Sequence, residues 1–247
     1  MSLLNHFIIP QWSSPANVKA LQTTRLGGLS VSPYASLNLG SHVGDNPLTV
    51  NRNRMLLASI LPSEPVWLNQ VHGITVADAG HAGCLPEADA SVSTHHGAVC
   101  VVLTADCLPV LLCDDTGCAV AAAHAGWRGL CDGVLESTVS AMNVPVSSLM
   151  AWLGPAIGPG RFEVGDEVRA VFVEQNSQAT NAFKASKEGK WMADIYQLAR
   201  LRLNALGITR IFGGDLCTYS DADTFYSYRR DGVTGRMGTF IWLSKQL

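Results

Sequence analysis

A chain of 247 residues, 47% apolar and 15% charged, can bury a full core and has the composition of a folded protein rather than a disordered one. Its formal net charge of −3 leaves no general basic surface, which argues against nucleic acid as a partner. No apolar stretch approaches the ~20 residues of a membrane span, the start MSLLNHFIIPQW lacks the basic n-region of a signal peptide, and an odd count of seven Cys forms no disulfide framework, so the expected address is a reducing cytoplasm.

In chain order, residues 6–10 read as a short strand. Thr23-Thr24-Arg25-Leu26-Gly27-Gly28 and Ser36-Leu37-Asn38-Leu39-Gly40 follow. The Gly27-Gly28 pair permits positive φ or close backbone approach, so this segment is either a plain turn or a substrate-facing loop with Arg25 beside it. It matches neither glycine-rich nucleotide fingerprint. Asp45 or Asn46 can cap a helix over 48–60, with Pro47 at its first position. A short strand at 67–71 leads to His72. Asp89, among the small residues of Ala88-Asp89-Ala90-Ser91, is either a turn-capping carboxylate or a support for a metal ligand.

Two apolar runs organise the middle of the chain. Residues 98–103 lead into Thr104-Ala105-Asp106-Cys107, and 118–123 lead into His124-Ala125-Gly126-Trp127-Arg128. Runs of this length, rich in Val and Leu, suit strands buried on both faces, with Cys100 and Cys118 as small core residues. A helix is expected over 126–142, with Leu130, Val134, Leu135, Val139 and Met142 on one stripe. Its start would set a positive dipole end, Trp127 and Arg128 beside His124, where a ring could be stacked and an anion held. Residues 150–153 form a strand ending in the rigid loop Gly154-Pro155-Ala156-Ile157-Gly158-Pro159-Gly160. Gly165-Asp166-Glu167-Val168 opens a helix packing through Val168, Val171 and Phe172, and the polar stretch 176–190 is expected to be a mobile excursion. Asp194 caps a helix with Ile195, Leu198, Ala199, Leu203 and Leu206 inward, stopped by Gly207. A strand at 208–212 precedes the turn Gly213-Gly214-Asp215, and 225–228 with 239–243 suggest an antiparallel hairpin around Arg229-Arg230-Asp231-Gly232. No repeat or linker divides the chain, so residues 1–247 read as one α+β domain of mixed sheets covered by helices.

The chemistry rests on His72, Cys107 and His124. Two imidazoles and a thiolate from three loops suit a three-ligand metal site with an open fourth position, for Zn²⁺ or for copper. Zinc in such a site lowers the pKa of a bound water to about 7. The rival is a metal-free pair, Cys107 as nucleophile with one His as base. Asp106 either orients a His, serves as general base or caps a turn. His81, His95 and His96 lie in polar loops and read as solvated. Seven His are too few for the several coppers that four-electron oxygen reduction requires.

The motifs Asn69-Gln70-Val71-His72-Gly73, Thr104-Ala105-Asp106-Cys107-Leu108-Pro109, His124-Ala125-Gly126-Trp127-Arg128-Gly129, Gly154-Pro155-Ala156-Ile157-Gly158-Pro159 and Tyr228-Arg229-Arg230-Asp231 together resemble the YfiH-like family, also called multicopper polyphenol oxidase or laccase-domain. The resemblance runs from about Pro10 to Leu243. It implies a single-domain, four-layer α-β-β-α sandwich and a zinc site at His72, Cys107 and His124, with copper possible. It implies purine nucleoside phosphorylase activity on adenosine, inosine and 5′-methylthioadenosine, with adenosine deaminase activity. It also implies, as an alternative, a peptidoglycan editing role in which an amide of wrongly built muropeptide precursors is hydrolysed. The candidate catalytic residues are thus Cys107, His72, His124 and Asp106; those for substrate and phosphate are Arg25, Asn38, Gln70, Arg128 and Arg230.

Overall fold

The computed structural model describes residues 3–81 and 85–245. Its strands are β1 (Val18–Gln22), β2 (Val76–Asp78), β3 (Ala90–Ser93), β4 (Val99–Thr104), β5 (Leu108–Asp114), β6 (Val120–Ala125), β7 (Leu149–Leu153), β8 (Glu163–Gly165), β9 (Phe183–Ala185), β10 (Lys190–Ala193), β11 (Ile211–Gly213) and β12 (Met237–Leu243). The helices are α1 (Pro47–Leu56), α2 (Trp127–Asp132), α3 (Val134–Met142), α4 (Asp166–Gln175), α5 (Ile195–Ala205) and α6 (Tyr228–Asp231).

Because successive side chains of a strand point to opposite faces, a strand apolar at every position must be covered twice. That is how β4 is used. Val99, Val101 and Leu103 join Phe240 and Trp242 of β12 against Leu57 and Leu61, which follow α1. Cys100 and Val102 face the other way, with Ile241, onto Leu111, Cys113, Val120, Ala122, Met150 and Trp152. The second sheet repeats the device: Val110, Leu112, Ala121, Ala123 and Ala151 pack on its far side against Leu135, Val139, Val168, Phe172, Leu198 and Leu203. The order is therefore α1, the sheet β1-β12-β4, the sheet β11-β7-β5-β6-β3-β2, then α3, α4 and α5, which is the expected four-layer sandwich. The first sheet is antiparallel; the second is mixed, with β2 parallel to β3 and β11 parallel to β7. A small antiparallel sheet, β8-β10-β9, closes one end.

Several local expectations are corrected. The helix over 126–142 is two helices, because Gly133 sits at φ 106 and ends α2 before α3 restarts at Val134. Strand β5, in the middle of the larger sheet, was not foreseen: Pro109 argues against a central strand, yet here it falls near the strand start, where its missing N–H costs little and its carbonyl accepts from Gly154 N–H at 2.9 Å. Residues 176–190 are no excursion. They form a 3₁₀ turn over Ser177–Ala182 and the strand β9, with Ala179, Ala182 and Phe183 buried. Residues 225–228 are not a strand; Tyr228 starts α6, and β12 pairs with β1 and β4 instead of closing a hairpin. Residues 6–10 contribute a single bridge, Ile8 to Gln22, and 67–71 a single bridge at Asn69. Helix α1 stops at Leu56 and continues as a 3₁₀ turn over Leu57–Ser59. Val171 is exposed, since Val168 and Phe172, four apart, define the buried face of α4. Cys118 is exposed in the turn before β6, and Cys84 lies outside the described residues; the six described Cys are free thiols. Among the described residues no helix is long and apolar enough to cross a membrane.

Candidate metal centre and active site

Strands from both sheets end at one place. β4 runs out at Thr104, and Asp106, at φ 92, turns the chain so that Cys107 precedes β5. His124 is the penultimate residue of β6 and is buried. His72, at φ 62, comes from the loop before β2. One donor atom of each lies within 4.8 Å of the others, and Cys107 Sγ is 3.8 Å from His72 Nε2. A tetrahedral zinc site with bonds of about 2.3 Å to sulfur and 2.0–2.1 Å to nitrogen places such atoms roughly 3.5 Å apart, so the donor set fits an ion with little movement.

Asp89 organises this set. Its buried carboxylate accepts from His72 N–H at 3.0 Å and His124 Nδ1 at 2.8 Å through Oδ1, and from Val71 and Gly73 N–H at 3.1 and 2.7 Å through Oδ2. The bond to Nδ1 fixes the proton there and leaves Nε2 of His124 free to ligate. Asp89 thus caps the 71–73 turn and orients His124. Gly126 is required beside them, because a Cβ there would lie 2.8 Å from His72 Cδ2 and 3.1 Å from Cys107 Sγ.

The charges of the three groups favour a thiolate. Burial opposes ionisation of the Cys107 thiol, but His124 and His72 outweigh it and bring the thiol down to about 6. Burial likewise opposes the charged form of His124, and the Cys107 thiolate and Asp89 outweigh it, raising His124 to about 9. Burial would raise Asp89 too; its bonds from His124, Gly73 and Val71 hold it below the usual carboxylate range. A thiolate already favoured by its neighbours gives up its proton to a metal at little cost.

Two connected cavities of about 190 and 470 Å³ share His72, Ala105, Cys107, Arg128 and Tyr228. The smaller is walled by Trp127, Ile157, Phe162, Ile195 and Arg229, the larger by His42, Gln70, Leu103, Thr104, His124 and Arg236. Of the expected substrate residues, Arg128 stands at the shared mouth, with its guanidinium over the Trp127 ring and no hydrogen bond among the described residues. Gln70 lines the larger cavity, while its amide bonds both backbone groups of Leu103. The other three are elsewhere. Arg25 donates to Ala35 and Ala222 carbonyls; Asn38 is buried, bonded to Asp45, Gly40 and Arg236 N–H; Arg230 donates to Thr218, Tyr219 and Phe225 carbonyls and pairs with Asp231. Asp106 accepts from Thr218, Ser227 and Arg229 N–H, which pins the start of α6. Helix α2 begins at Trp127 with no side-chain cap on Gly126, so the uncapped helix start does lie beside the site.

Residues that sequence reasoning missed are His42, Tyr228, Arg229 and Arg236. His42 is pushed down, first by burial and then by the guanidinium charges of Arg236 and Arg54. The Tyr228-Arg229-Arg230-Asp231 motif carried the signal for two of them, but one place off: Arg229, not Arg230, faces the cavity.

A family profile described as multi-copper polyphenol oxidoreductase laccase matches residues 19–244. The purine nucleoside phosphorylase YfiH of Escherichia coli K12 is 56% identical over 243 residues, which is 97% of this chain and 100% of that protein. A purine nucleoside phosphorylase of Pseudomonas aeruginosa is 53% identical over 241 residues, 97% and 99% of the two chains. Among solved structures, a Neisseria meningitidis protein superposes with a TM-score of 0.94 at 51% identity, covering 97% of this chain and 100% of its own. The YfiH protein of Bacillus licheniformis superposes with a TM-score of 0.86 at 30% identity, over 92% and 93%.

Proposed function

The chain belongs to the multi-copper polyphenol oxidoreductase laccase family of YfiH-type proteins, and from that premise we propose that it is a zinc-dependent purine nucleoside phosphorylase that also deaminates adenosine. The observation that carries this reading is the opening of the His72, Cys107 and His124 set into a cavity with aromatic walls and guanidinium groups at its rim. Relatives at 56% and 53% identity bear the phosphorylase name over nearly their whole length.

Phosphorolysis of a nucleoside joins a phosphate oxygen to C1′ of the ribose as the bond from C1′ to N9 breaks, and the base leaves protonated. Little covalent chemistry is asked of the protein; it must hold two reactants in line and balance charge. The Trp127, Phe162 and Tyr228 rings offer apolar faces for a purine. Arg128, Arg229 and Arg236 supply planar donors suited to phosphate oxygens. His72, Cys107 and His124 would hold zinc, which when bound would supply Lewis acidity. Adenosine, inosine and 5′-methylthioadenosine share the purine ribose that these groups would contact.

The test is product formation from adenosine by protein of known metal content, with and without phosphate, beside Cys107→Ala. Adenine and ribose 1-phosphate formed only with phosphate, and lost in the variant, support the phosphorylase. Inosine formed without phosphate supports the deaminase. No product in any condition from protein carrying zinc would refute the nucleoside reading and direct the assay to muropeptide amides.

A further inference from the structure

We propose that Asp78, His81 and His95 form a second metal site, for a divalent late first-row transition ion such as Zn²⁺, independent of the His72, Cys107 and His124 set. Each offers one donor atom, and the three atoms lie within 4.8 Å of one another. Among the described residues these are the two groups of His, Cys, Asp or Glu side chains that converge in this way.

The second group lies at the far ends of β2 and β3, the strands that His72 and Asp89 precede. β2 and β3 run parallel, with Val76 beside Ala90 and Asp78 beside Val92. Asp89, which supports the first set, immediately precedes β3; Asp78 closes β2, and His95 follows β3 by two residues. Four strand residues at about 3.3 Å each put the two groups roughly 13 Å or more apart, too far to share a ligand.

The geometry suits an ion. Asp78 Oδ1 accepts from Gly80 N–H at 2.8 Å, which turns Oδ2 toward His81 Nδ1 at 3.0 Å. A divalent ion would replace the proton shared in that hydrogen bond, moving the two atoms by a few tenths of an ångström to the roughly 3.4 Å between tetrahedral zinc ligands. The His81 and His95 rings meet edge to face, centroids 4.8 Å apart at 83°. The His95 ring makes no hydrogen bond among the described residues, so its nitrogens keep their donor and acceptor capacity. It reaches the turn because residue 80 is Gly: a Cβ at Gly80 would lie 2.3 Å from His95 Nδ1. Two imidazoles and one carboxylate match zinc, nickel or copper(II) better than magnesium or calcium. With side chains 70% and 52% exposed at His81 and Asp78, water completes the coordination.

The experiment is titration of untagged, metal-stripped protein with Zn²⁺ alone, read by calorimetry and by metal content after gel filtration. Wild type is expected to bind two ions per chain. Cys107→Ala is expected to bind one, the double variant His81→Ala/His95→Ala one, and the combination of all three none. His96→Ala, at a neighbouring exposed His, should still bind two. The altered His are on the surface, so the double variant should melt as wild type does. A single zinc in wild type that Cys107→Ala abolishes overturns the proposal, as does a second zinc that survives in the double variant. Neither readout depends on enzymatic activity, so a failure here leaves the nucleoside reading standing and the reverse also holds.

Discussion

Asp89→Asn isolates the support of the metal centre from its ligands. The two side chains have the same shape, but Asn offers one acceptor oxygen where Asp offers two. In the wild type Oδ1 takes His72 N–H and His124 Nδ1, and Oδ2 takes Val71 and Gly73 N–H. Whichever way the amide turns, two of the four bonds are lost and an NH₂ group faces two donors. Hydrogen bonds to a charged group contribute about 1.5–3 kcal/mol each, so the loss is roughly 3–6 kcal/mol. Keeping the buried His124 bond and surrendering those of Val71 and Gly73 is the less costly choice, because that loop reaches the surface and water recovers part of the loss. The lower figure, about 3 kcal/mol, is therefore expected in urea unfolding, and zinc affinity should fall 10- to 100-fold in a chelator competition. Zinc affinity equal to wild type, with unchanged hydrogen exchange at residues 71–73, would refute the role assigned to Asp89.

Gly126→Ala should abolish metal binding and activity with the fold intact by circular dichroism, since its methyl would fall 2.8 Å from His72 and 3.1 Å from Cys107. Asp106→Asn should raise KM for nucleoside, through loosening of α6 and its Tyr228 and Arg229, while metal content and the pH profile of kcat stay put; loss of one limb of that profile would make Asp106 a base instead. Asp114 is raised by burial, but Thr116, Ala119 and Cys118 outweigh this and hold it below the usual range, so its stabilisation is present above the unfolded value near 4 and is lost as pH falls through the folded one. Asp114→Asn should accordingly cost about 1–3 kcal/mol at pH 7 and progressively less below pH 4; an equal cost at both would contradict the assignment. In metal-free protein, iodoacetamide at pH 6.5 should modify Cys107, held at about 6, while Cys100 and Cys113, pushed up to about 12 by burial, stay unmodified. Zinc should protect Cys107, and mass spectrometry of the digest reads all three.

The convergence of His72, Cys107 and His124 was legible because these residues break a rule. Cys107 and His124 follow runs apolar at every position, where the two-faced burial of β4 and β6 demands no polar group. The same doubly apolar runs made stacked sheets covered by helices legible, while the four-layer order came from the family resemblance. What escaped was set by long-range pairing. Arg25, Asn38 and Arg230 look like binding residues beside glycines and in a polar motif, yet their donors are consumed by carbonyls and side chains contributed from elsewhere in the chain, Ala222 for Arg25 and Thr218 for Arg230. No local pattern reveals such partners. The break at Gly133 was hidden because the apolar stripe of α3 continues that of α2 across it. Strands β9 and β10 were hidden because they are only three and four residues long and lie in a polar stretch, β9 at the edge of a small sheet and β10 between it and β8.

The carboxylates supply the remaining logic of the site. Asp89 gathers three successive N–H groups and a ligand; Asp106 gathers two hydroxyls and the N–H of Arg229; Asp114 gathers the turn before β6; Asp45 joins Ser30, Asn38 and Asn46. Each sits at a junction where backbone donors would otherwise go unpaired in a partly buried loop, and each converts them into a charge-assisted cluster. Strands from two different sheets cannot present ligands to one ion through their own register, because register operates within a sheet. The loops between them must be fixed instead, and carboxylates that bind several N–H groups fix a loop without adding bulk. Substitution at Asp89 or Asp106, which hold the loops around the site, is therefore expected to shift those loops, whereas substitution at His72, Cys107 or His124 removes a donor and leaves the frame in place.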